Sequence, residues 1–370
     1  TDSARTYELF LSDTVYGVGT AEYIKVYGLV AVGFDVIDRQ EGSDAELGIY
    51  SAELYMDNVL SYSWINDRFD FEETRYANAH IDYLVKERDG STIQRCQRLA
   101  GNHMSILYPD TGLTGLLQFT DDESHELRFV VHDFSGNETV INFQLQSYSA
   151  YADASYLPHS QNALKITNGK GLAVHKDELD VVIPAGALYE ECYYEDDEVS
   201  NSEFLSKTFI VGDRYEALHK PVSIGIRPNR SVTDSMKTKA LMVRIDPNGT
   251  LQAQGGTWNK DFLVTKVRKF GSYAITMDTI APFVVKEYYP ADLNTSRGGI
   301  VQLKVTDSLS GVTGINALID EQWMLSEFDA KSGVVTIDLK GIPLNKLHTL
   351  LLEVTDERGN LNSWTDNFYW

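Results

Sequence analysis

Cross-linking residues are scarce in this sequence. Its 370 residues include only two cysteines, Cys96 and Cys192. So few cysteines cannot supply the disulfide framework on which many small secreted domains depend for stability. The two lie in different predicted domains, so a disulfide between domains stays open, but we expect free thiols.

Long apolar runs and positive charge are also in short supply. No apolar stretch is long enough to cross a bilayer as a helix, so we predict no membrane span. The 32 Lys and Arg residues are outnumbered by 54 Asp and Glu residues, which gives a net charge of −22. The resulting field repels phosphate backbones and anionic lipid, which argues against nucleic acid and against anionic membrane surfaces as partners.

The usual signatures of catalytic and cofactor sites are missing as well. None of the eight histidines forms the short His-x-x-x-His or His-x-His pair that favours zinc. Nucleophile elbows, phosphate-binding loops and dinucleotide-binding glycine patterns are also absent. We therefore predict no catalytic, cofactor-binding or metal residue, no cofactor, and a chain that is not itself an enzyme. A carboxylate pair that folding brings together remains an open alternative.

An internal repeat is the most informative positive feature. A histidine, an aspartate and a Gly-Asn pair recur at equal offsets near the two ends, each preceded by a second matching stretch. Two matches in the same order predict one module used twice, which favours stacked units over a single catalytic core. The matched residues are Asp38, Gly48, Asp57, His125, Asp133, Gly136 and Asn137 in the first copy, and Asp307, Gly311, Asp320, His348, Asp356, Gly359 and Asn360 in the second.

The acidic and amide residues of this repeat fall at predicted strand ends. Calcium between modules is conceivable there, because carboxylate oxygens are its preferred ligands. We favour a turn role, in which the side chains accept backbone N–H groups. Gly136 and Gly359 would supply the positive φ that such turns require.

Three weaker site candidates come from other patterns. His80 and Asp82 would share one face of a strand and could pair on a metal, although surface polar residues are the favoured interpretation. The acidic run 190–198 lacks the spacing of a calcium loop, so we expect a solvated, mobile loop. An aromatic sugar-stacking face or protein interface is a further alternative, from Tyr193, Tyr194, Tyr288, Tyr289 and Trp258.

Strand signals dominate the chain. Sustained helical periodicity is nearly absent, and only 71–83 is expected to hold a short helix. The aromatic end 368–370 predicts a final paired strand and a docked C-terminus. β-branched and aromatic residues predict strands over 24–27, 30–36, 52–57, 59–64, 127–131, 140–145, 179–184, 222–226, 240–245 and 270–275.

Two breaks divide the chain into three parts. The segment 147–158 is small, polar and non-periodic, and 278–282 places a polar joint and a proline after a strand. We therefore predict an all-β fold of three β domains in series, 1–147, 148–278 and 279–370. The last is about the size of one small β-sandwich.

Several segments resemble a known family. GIYSAEL at 48–54, FEETRYAN at 71–78, IDY at 81–83, IPAGALY at 183–189 and FGSY at 270–273 running into 278–282 are similar to the region that follows the peptidase domain in secreted lysostaphin-type (LytM-like) zinc metallopeptidases. The outer modules also resemble bacterial immunoglobulin-like domains, and the middle part resembles β-rich domains with an Ile-Pro-x-Gly-Ala-Leu segment. The resemblance implies that the outer two domains are immunoglobulin-like sandwiches and the middle one a distinct β fold.

The zinc ligands of that family are missing here, so no catalytic residue carries over. The resemblance implies a non-catalytic region that positions or anchors a cell-wall peptidase in the periplasm or outside the cell, with peptidoglycan or an envelope protein as partner. The start at Thr1 suggests a mature or trimmed chain whose natural start lies upstream. The alternative is a glycan- or protein-binding adhesion module of the cell surface.

Overall fold

The computed structural model describes residues 7–12, 15–18, 24–39, 42, 44–68, 70–104, 107–108, 112–152, 160–289 and 299–370. The chain is 52% strand and 7% helix, which confirms the predicted all-β class. Among the described residues, no helix is both long and apolar enough to cross a membrane. Thr1 and most of the expected first linker, 153–158, lie outside the described residues.

The first unit is a β-sandwich built on one large sheet. That sheet runs in the order β1-β2-β13-β12-β8-β9, with β3 parallel to β13. The small pairs β4–β11 and β5–β10 pack over it and close a core around Leu54, Tyr62, Phe119 and Leu127. The strands are β1 Leu9–Ser12, β2 Val15–Val18, β3 Ile24–Val26, β4 Gly28–Val30, β5 Gly33–Phe34, β6 Asp38–Arg39, β7 Glu46–Leu47, β8 Ser51–Met56, β9 Val59–Ile65, β10 Gln94–Arg95, β11 Leu117–Phe119, β12 Ser124–His132 and β13 Glu138–Ser147.

Short helices lie between β9 and β10. A 3-10 turn at Thr74–Tyr76 leads into α1, Ala77–His80, which agrees with the helix predicted over 71–83. A second helix, α2 at Tyr83–Asp89, was not predicted. Its N-cap is Asp82, whose side chain accepts from the Val85 N–H, and Gly90 ends it in the left-handed conformation. A further 3-10 turn covers Ser149–Tyr151.

The second unit packs two five-stranded sheets face to face. Their orders are β15-β16-β20-β24-β23 and β18-β19-β25-β21-β22, and β14 pairs separately with β17. Fully buried side chains of both sheets, among them Leu179, Ile224 and Tyr273, form its core. The elements are β14 Leu164–Ile166, β15 Leu172–His175, β16 Leu179–Ile183, β17 Cys192–Tyr194, β18 Asp196–Val199, β19 Thr208–Val211, β20 Ala217–Ile226, α3 Asp234–Lys239, β21 Ala240–Ile245, β22 Leu251–Gly255, β23 Thr257–Asn259, β24 Phe262–Lys269 and β25 Gly271–Met277.

The third unit is a sandwich of two four-stranded sheets. They run β26-β27-β31-β30 and β29-β28-β32-β33 around a core that includes Leu303, Val335 and Leu352. The chain ends in paired strand, as predicted, and Trp370 exchanges backbone hydrogen bonds with Lys346. The strands are β26 Phe283–Tyr288, β27 Ile300–Thr306, β28 Val312–Ile319, β29 Gln322–Met324, β30 Ser326–Asp329, β31 Val334–Asp338, β32 Leu347–Asp356 and β33 Leu361–Tyr369.

The internal repeat corresponds to one sheet built twice. In the first unit β9-β8-β12-β13 are neighbours, and β29-β28-β32-β33 lie in the same order in the third. Both copies therefore share an immunoglobulin-like sandwich arrangement, as the sequence predicts. The numbered domain boundaries themselves stay a prediction.

Three local predictions are wrong. The strand expected over 30–36 is interrupted, because β4 pairs with β11 while β5 pairs with β10. The run 190–198 is not a loop: it forms β17 and most of β18, and its acids pair with lysines, as in Glu198–Lys207 at 2.7 Å. His80 and Asp82 do not share a strand face, because His80 ends α1 and Asp82 caps α2.

Cys96 and Cys192 are free, as predicted, and both are buried.

A histidine–aspartate pair anchors the hairpin turn in each copy. The His125 ring nitrogen Nδ1 lies 2.6 Å from Asp57 Oδ2, and His348 Nδ1 lies 2.7 Å from Asp320 Oδ2. The other carboxylate oxygen accepts the next backbone N–H at 3.0 Å in both copies, from Glu126 and Thr349. Asp57 and Asp320 both have positive φ, so each is held in a strained turn by its own side-chain bonds.

The first of these pairs has a defined pH dependence. The hydrogen bond to Asp57 raises the pKa of His125 above its ordinary 6.5, and the same bond lowers the pKa of Asp57 below 3.8. The histidine contribution to stability is therefore complete below pH 6.5 and is lost as pH rises through the raised pKa. The aspartate contribution is complete above pH 3.8 and is lost as pH falls through the lowered pKa.

We predict that Asp57→Asn lowers the pKa of His125, because the imidazolium then loses the carboxylate that stabilises it. A pH titration of the His125 ring protons by NMR measures this. Asp133→Asn, which changes a carboxylate in the same unit without touching His125, is the control and leaves that titration unchanged. An identical His125 curve in wild type and Asp57→Asn contradicts the assignment.

Candidate functional site at the junctions between units

The second half of the repeat is a turn closed by an Asp–Asn pair. Asp133 Oδ1 accepts the Asn137 backbone N–H at 2.8 Å, and Asp356 Oδ1 accepts that of Asn360 at 2.8 Å. The asparagine side chain returns to the second carboxylate oxygen, at 2.6 Å in the first copy and 2.7 Å in the second. The favoured turn role is therefore confirmed for Asp133 and Asn137 in the first copy and for Asp356 and Asn360 in the second.

The two copies of this turn differ in their surroundings. In the first unit Asn137 is exposed, whereas Asn360 in the third unit is 8% exposed. Asn360 is buried because the second unit covers it: its Nδ2 donates to the Asp278 carbonyl at 3.0 Å, and its Oδ1 accepts from Lys239 Nζ at 2.6 Å. A local turn in one copy thus becomes a junction in the other.

Further contacts complete the junction between the second and third units. Lys239, at the end of α3, also donates to the Arg358 carbonyl at 2.9 Å. Arg358 donates in return to the Ala240 carbonyl at 3.1 Å. Leu309 packs against the buried group of Phe204, Leu241, Val243 and Ala274 in the second unit. The junction therefore combines apolar burial with reciprocal hydrogen bonds.

Three carboxylates converge inside this junction. One oxygen each from Asp278, Asp307 and Asp356 lies within 4.8 Å of the others. Asp278 follows β25 of the second unit, Asp307 follows β27, and Asp356 ends β32. Asp278 and Asp356 are each 2% exposed. Among the described residues, this cluster is the candidate metal centre.

Backbone N–H groups orient the three carboxylates. Asp278 accepts from Ile280 at 3.2 Å and from Ser310 at 3.0 Å. Asp307 Oδ2 accepts from Leu309 at 3.0 Å and from Gly311 at 2.8 Å. Within the described part of the chain, none of the three forms an ion pair within 4 Å, so the direct partners of their oxygens are hydrogen-bond donors without charge.

The junction between the first and second units is aromatic. Tyr76 stacks on His219 with ring centroids 4.3 Å apart, and the Tyr189 hydroxyl donates to the Arg75 carbonyl at 2.6 Å. Arg75 Nε donates across the junction to the Leu218 carbonyl at 3.2 Å. Desolvation, with a contribution from nearby cations such as Arg75, lowers the pKa of His219 below its ordinary value.

Neither His80 nor the group of Ser51, His132 and Glu138 forms a reactive site with other described residues. His80 is buried and contacts the Tyr108 hydroxyl at 3.0 Å and Gln94 at 3.3 Å, so it is a core polar residue. Ser51, His132 and Glu138 are cross-strand neighbours joined by long contacts of 3.4 and 3.3 Å. They lie on adjoining strands of one sheet, so the contacts follow from strand register.

The proposed aromatic face is wrong for most of its members. Tyr194 is 2% exposed, Tyr289 packs against the core of the third unit, and Trp258 donates its indole N–H to the Lys237 carbonyl.

Sequence reasoning missed Asp278 as a site residue, because it lies in a connecting segment outside the repeat. It also missed Ser310, which carries no pattern that marks it.

Comparison with known proteins matches part of the chain to a family. Residues 165–278, which are 114 of the 370, match the model of the Zu5-like domain. The middle unit is therefore similar to Zu5-like domains, and the match covers too little of the chain to assign the whole. No curated protein matches.

Three solved structures are distantly similar to the chain. A tetra-tandem repeat from the extending region of a large adhesion protein is 10% identical, with 86% of this chain and 66% of that chain covered and a TM-score of 0.23. A 1.5-MDa bacterial ice-binding adhesin is 12% identical, with 92% and 90% covered and a TM-score of 0.19. The central fibronectin-III array of RIM-binding protein is 11% identical, with 93% and 99% covered and a TM-score of 0.18. At these scores the likenesses carry no argument about function.

We predict that Asn360→Ala destabilises the chain more than Asn137→Ala, by about 1–3 kcal/mol. Both changes remove the side-chain bond to an aspartate, but only Asn360→Ala also leaves the Asp278 carbonyl without its donor and removes one of the two acceptors of the Lys239 ammonium. Hydrogen exchange of the β32 and β33 amides in Asn360→Ala, and of the corresponding β12 and β13 amides in Asn137→Ala, measures each effect locally, because a multidomain chain need not unfold in one step. Equal losses of protection for the two variants contradict a special role of the second turn.

Proposed function

We propose that this chain is a non-catalytic binding module of the cell surface, of the adhesion type, that acts outside the cytoplasm. The observation that carries the proposal is the series of β units whose junctions are closed by buried side chains rather than by open linkers. Such a series can hold a binding surface at a fixed distance and orientation. The similarity of the middle unit to Zu5-like domains is compatible with this role.

The third unit offers the surface for such binding. Strand register places Trp323, Leu347 and Tyr369 on the outer face of the sheet β29-β28-β32-β33, and they are 65%, 61% and 57% exposed. Polar pairs share this face, including Thr349 with Asn367 at 2.9 Å and Asn316 with Glu353 at 2.9 Å. Exposed rings beside hydrogen-bonding groups suit a ligand with alternating apolar and hydroxyl surfaces, such as a glycan.

The binding proposal predicts saturable retention of a surface glycan. We expect the immobilised chain to bind one class in a panel of peptidoglycan, other envelope polysaccharides, and host and plant glycans, since Trp323 is free to stack. Trp323→Ala is expected to weaken that binding by at least about tenfold, a loss of about 1.4 kcal/mol.

Phe134→Ala is the matched control, because Phe134 is 87% exposed on the first unit and its loss leaves the proposed face intact. A flat response across the panel, or equal losses from the two variants, contradicts the proposal.

A narrower proposal rests on the sequence resemblance alone. If a LytM-like peptidase domain belongs to the same protein, the series would position it on the cell wall. Deletion of these residues from the intact protein would then reduce wall hydrolysis or release the enzyme from its compartment. Unchanged activity and location on deletion remove this narrower role.

A further inference from the structure

We infer that Asp278, Asp307 and Asp356 bind one divalent cation of the Ca²⁺ type, which ties the third unit to the second. Their ligand set contains only oxygen, the donor that hard cations prefer over the softer transition metals. The cation site lies inside the fold and does not depend on the surface ligand proposed above.

The spacing of the carboxylates fits one ion. Oxygens on opposite sides of a Ca²⁺ ion are about 5 Å apart, because each lies about 2.4 Å from it. The three carboxylate oxygens lie within 4.8 Å of one another, so every pair meets this upper limit for two ligands of one ion. Bidentate carboxylates and water molecules can complete the shell of about six to eight oxygens that Ca²⁺ takes.

Two buried oxygens beside the cluster have no hydrogen-bond partner among the residues that the structure describes. Asp307 Oδ1 is enclosed and receives no donor, although Oδ2 of the same carboxylate receives two. The Ser310 side chain is 6% exposed and its Oγ has no partner, while its backbone N–H donates to Asp278. A buried oxygen without a donor is costly, and a bound cation would satisfy both atoms.

The absence of an ion-pair partner for these carboxylates among the described residues also favours a bound cation. Asp278 and Asp356 are almost fully buried, and isolated carboxylates in that state are strongly unfavourable. Lys239 forms no ion pair with them, and its ammonium donates instead to Asn360 Oδ1 and the Arg358 carbonyl. A divalent cation would supply the missing positive charge where the two units meet.

The first copy of the repeat provides a natural comparison. Asp38 and Asp133 occupy the positions that correspond to Asp307 and Asp356. Among the described residues they form no group of three metal-binding side chains, and Asp133 closes a turn whose asparagine is exposed. The site therefore arises from the junction, where Asp278 adds the third carboxylate, and not from the repeat itself.

The test is calcium binding by the full chain after removal of metal ions. Isothermal titration with CaCl₂ is expected to show one saturable site. Ca²⁺ at about 1 mM, a concentration that suits weak extracellular sites, is expected to raise the unfolding temperature relative to EDTA. Asp307→Asn is expected to weaken the binding at least about tenfold, because it removes a ligand charge. Mg²⁺ is expected to bind more weakly, because it demands a tighter octahedral shell.

Asp38→Asn is the matched control and is expected to bind Ca²⁺ as wild type does. Circular dichroism of each variant without metal separates loss of binding from loss of folding. No saturable binding in wild type, equal weakening by the two variants, or preference for Mg²⁺ overturns the inference. Failure of the glycan panel leaves this result untouched, so the two proposals can fail separately.

Discussion

The interaction on which this structure depends is a strand-end aspartate that accepts backbone N–H groups from the turn that follows. It occurs at Asp133 and Asp356 with nearly equal distances in the two copies. A second aspartate, at Asp57 and Asp320, fixes the preceding hairpin through a histidine on the neighbouring strand. Ionised acceptors make stronger hydrogen bonds than neutral ones, so a few short polar residues can define the turns of a whole sandwich.

The Asp–Asn turn of the repeat has a second role where two units meet. In the first unit it is a local device at the surface. In the third unit the neighbouring Lys239 and Asp278 cover it, and Asn360 bonds to both. Burial increases the free-energy cost of losing any of these polar contacts, because water can no longer replace a lost partner. A junction of this kind favours one relative orientation of two units over many.

Sequence reasoning predicted the elements that follow from local patterns. The repeat, the strand-rich class, the docked C-terminus and the turn role of the aspartates could be read from spacing and composition. Helix α2 could have been found too, because Asp82 and Gly90 mark its two ends. The interrupted strand at 30–36 could not, since β4 and β5 separate only because two distant strands, β11 and β10, pair with them.

The sequence placed Asp307 and Asp356 at strand ends, with calcium between modules as an open alternative, but their convergence with Asp278 could not be predicted, since it requires three separate strand ends to meet. Asp278 carries no repeat signal, and its importance follows from two units meeting at that point.

The central claim is that buried contacts make the units one body. The most direct measurement is ¹⁵N relaxation of the full chain, which reports overall tumbling. We predict one rotational correlation time shared by all three units; a distinctly shorter time for the third unit would contradict the account.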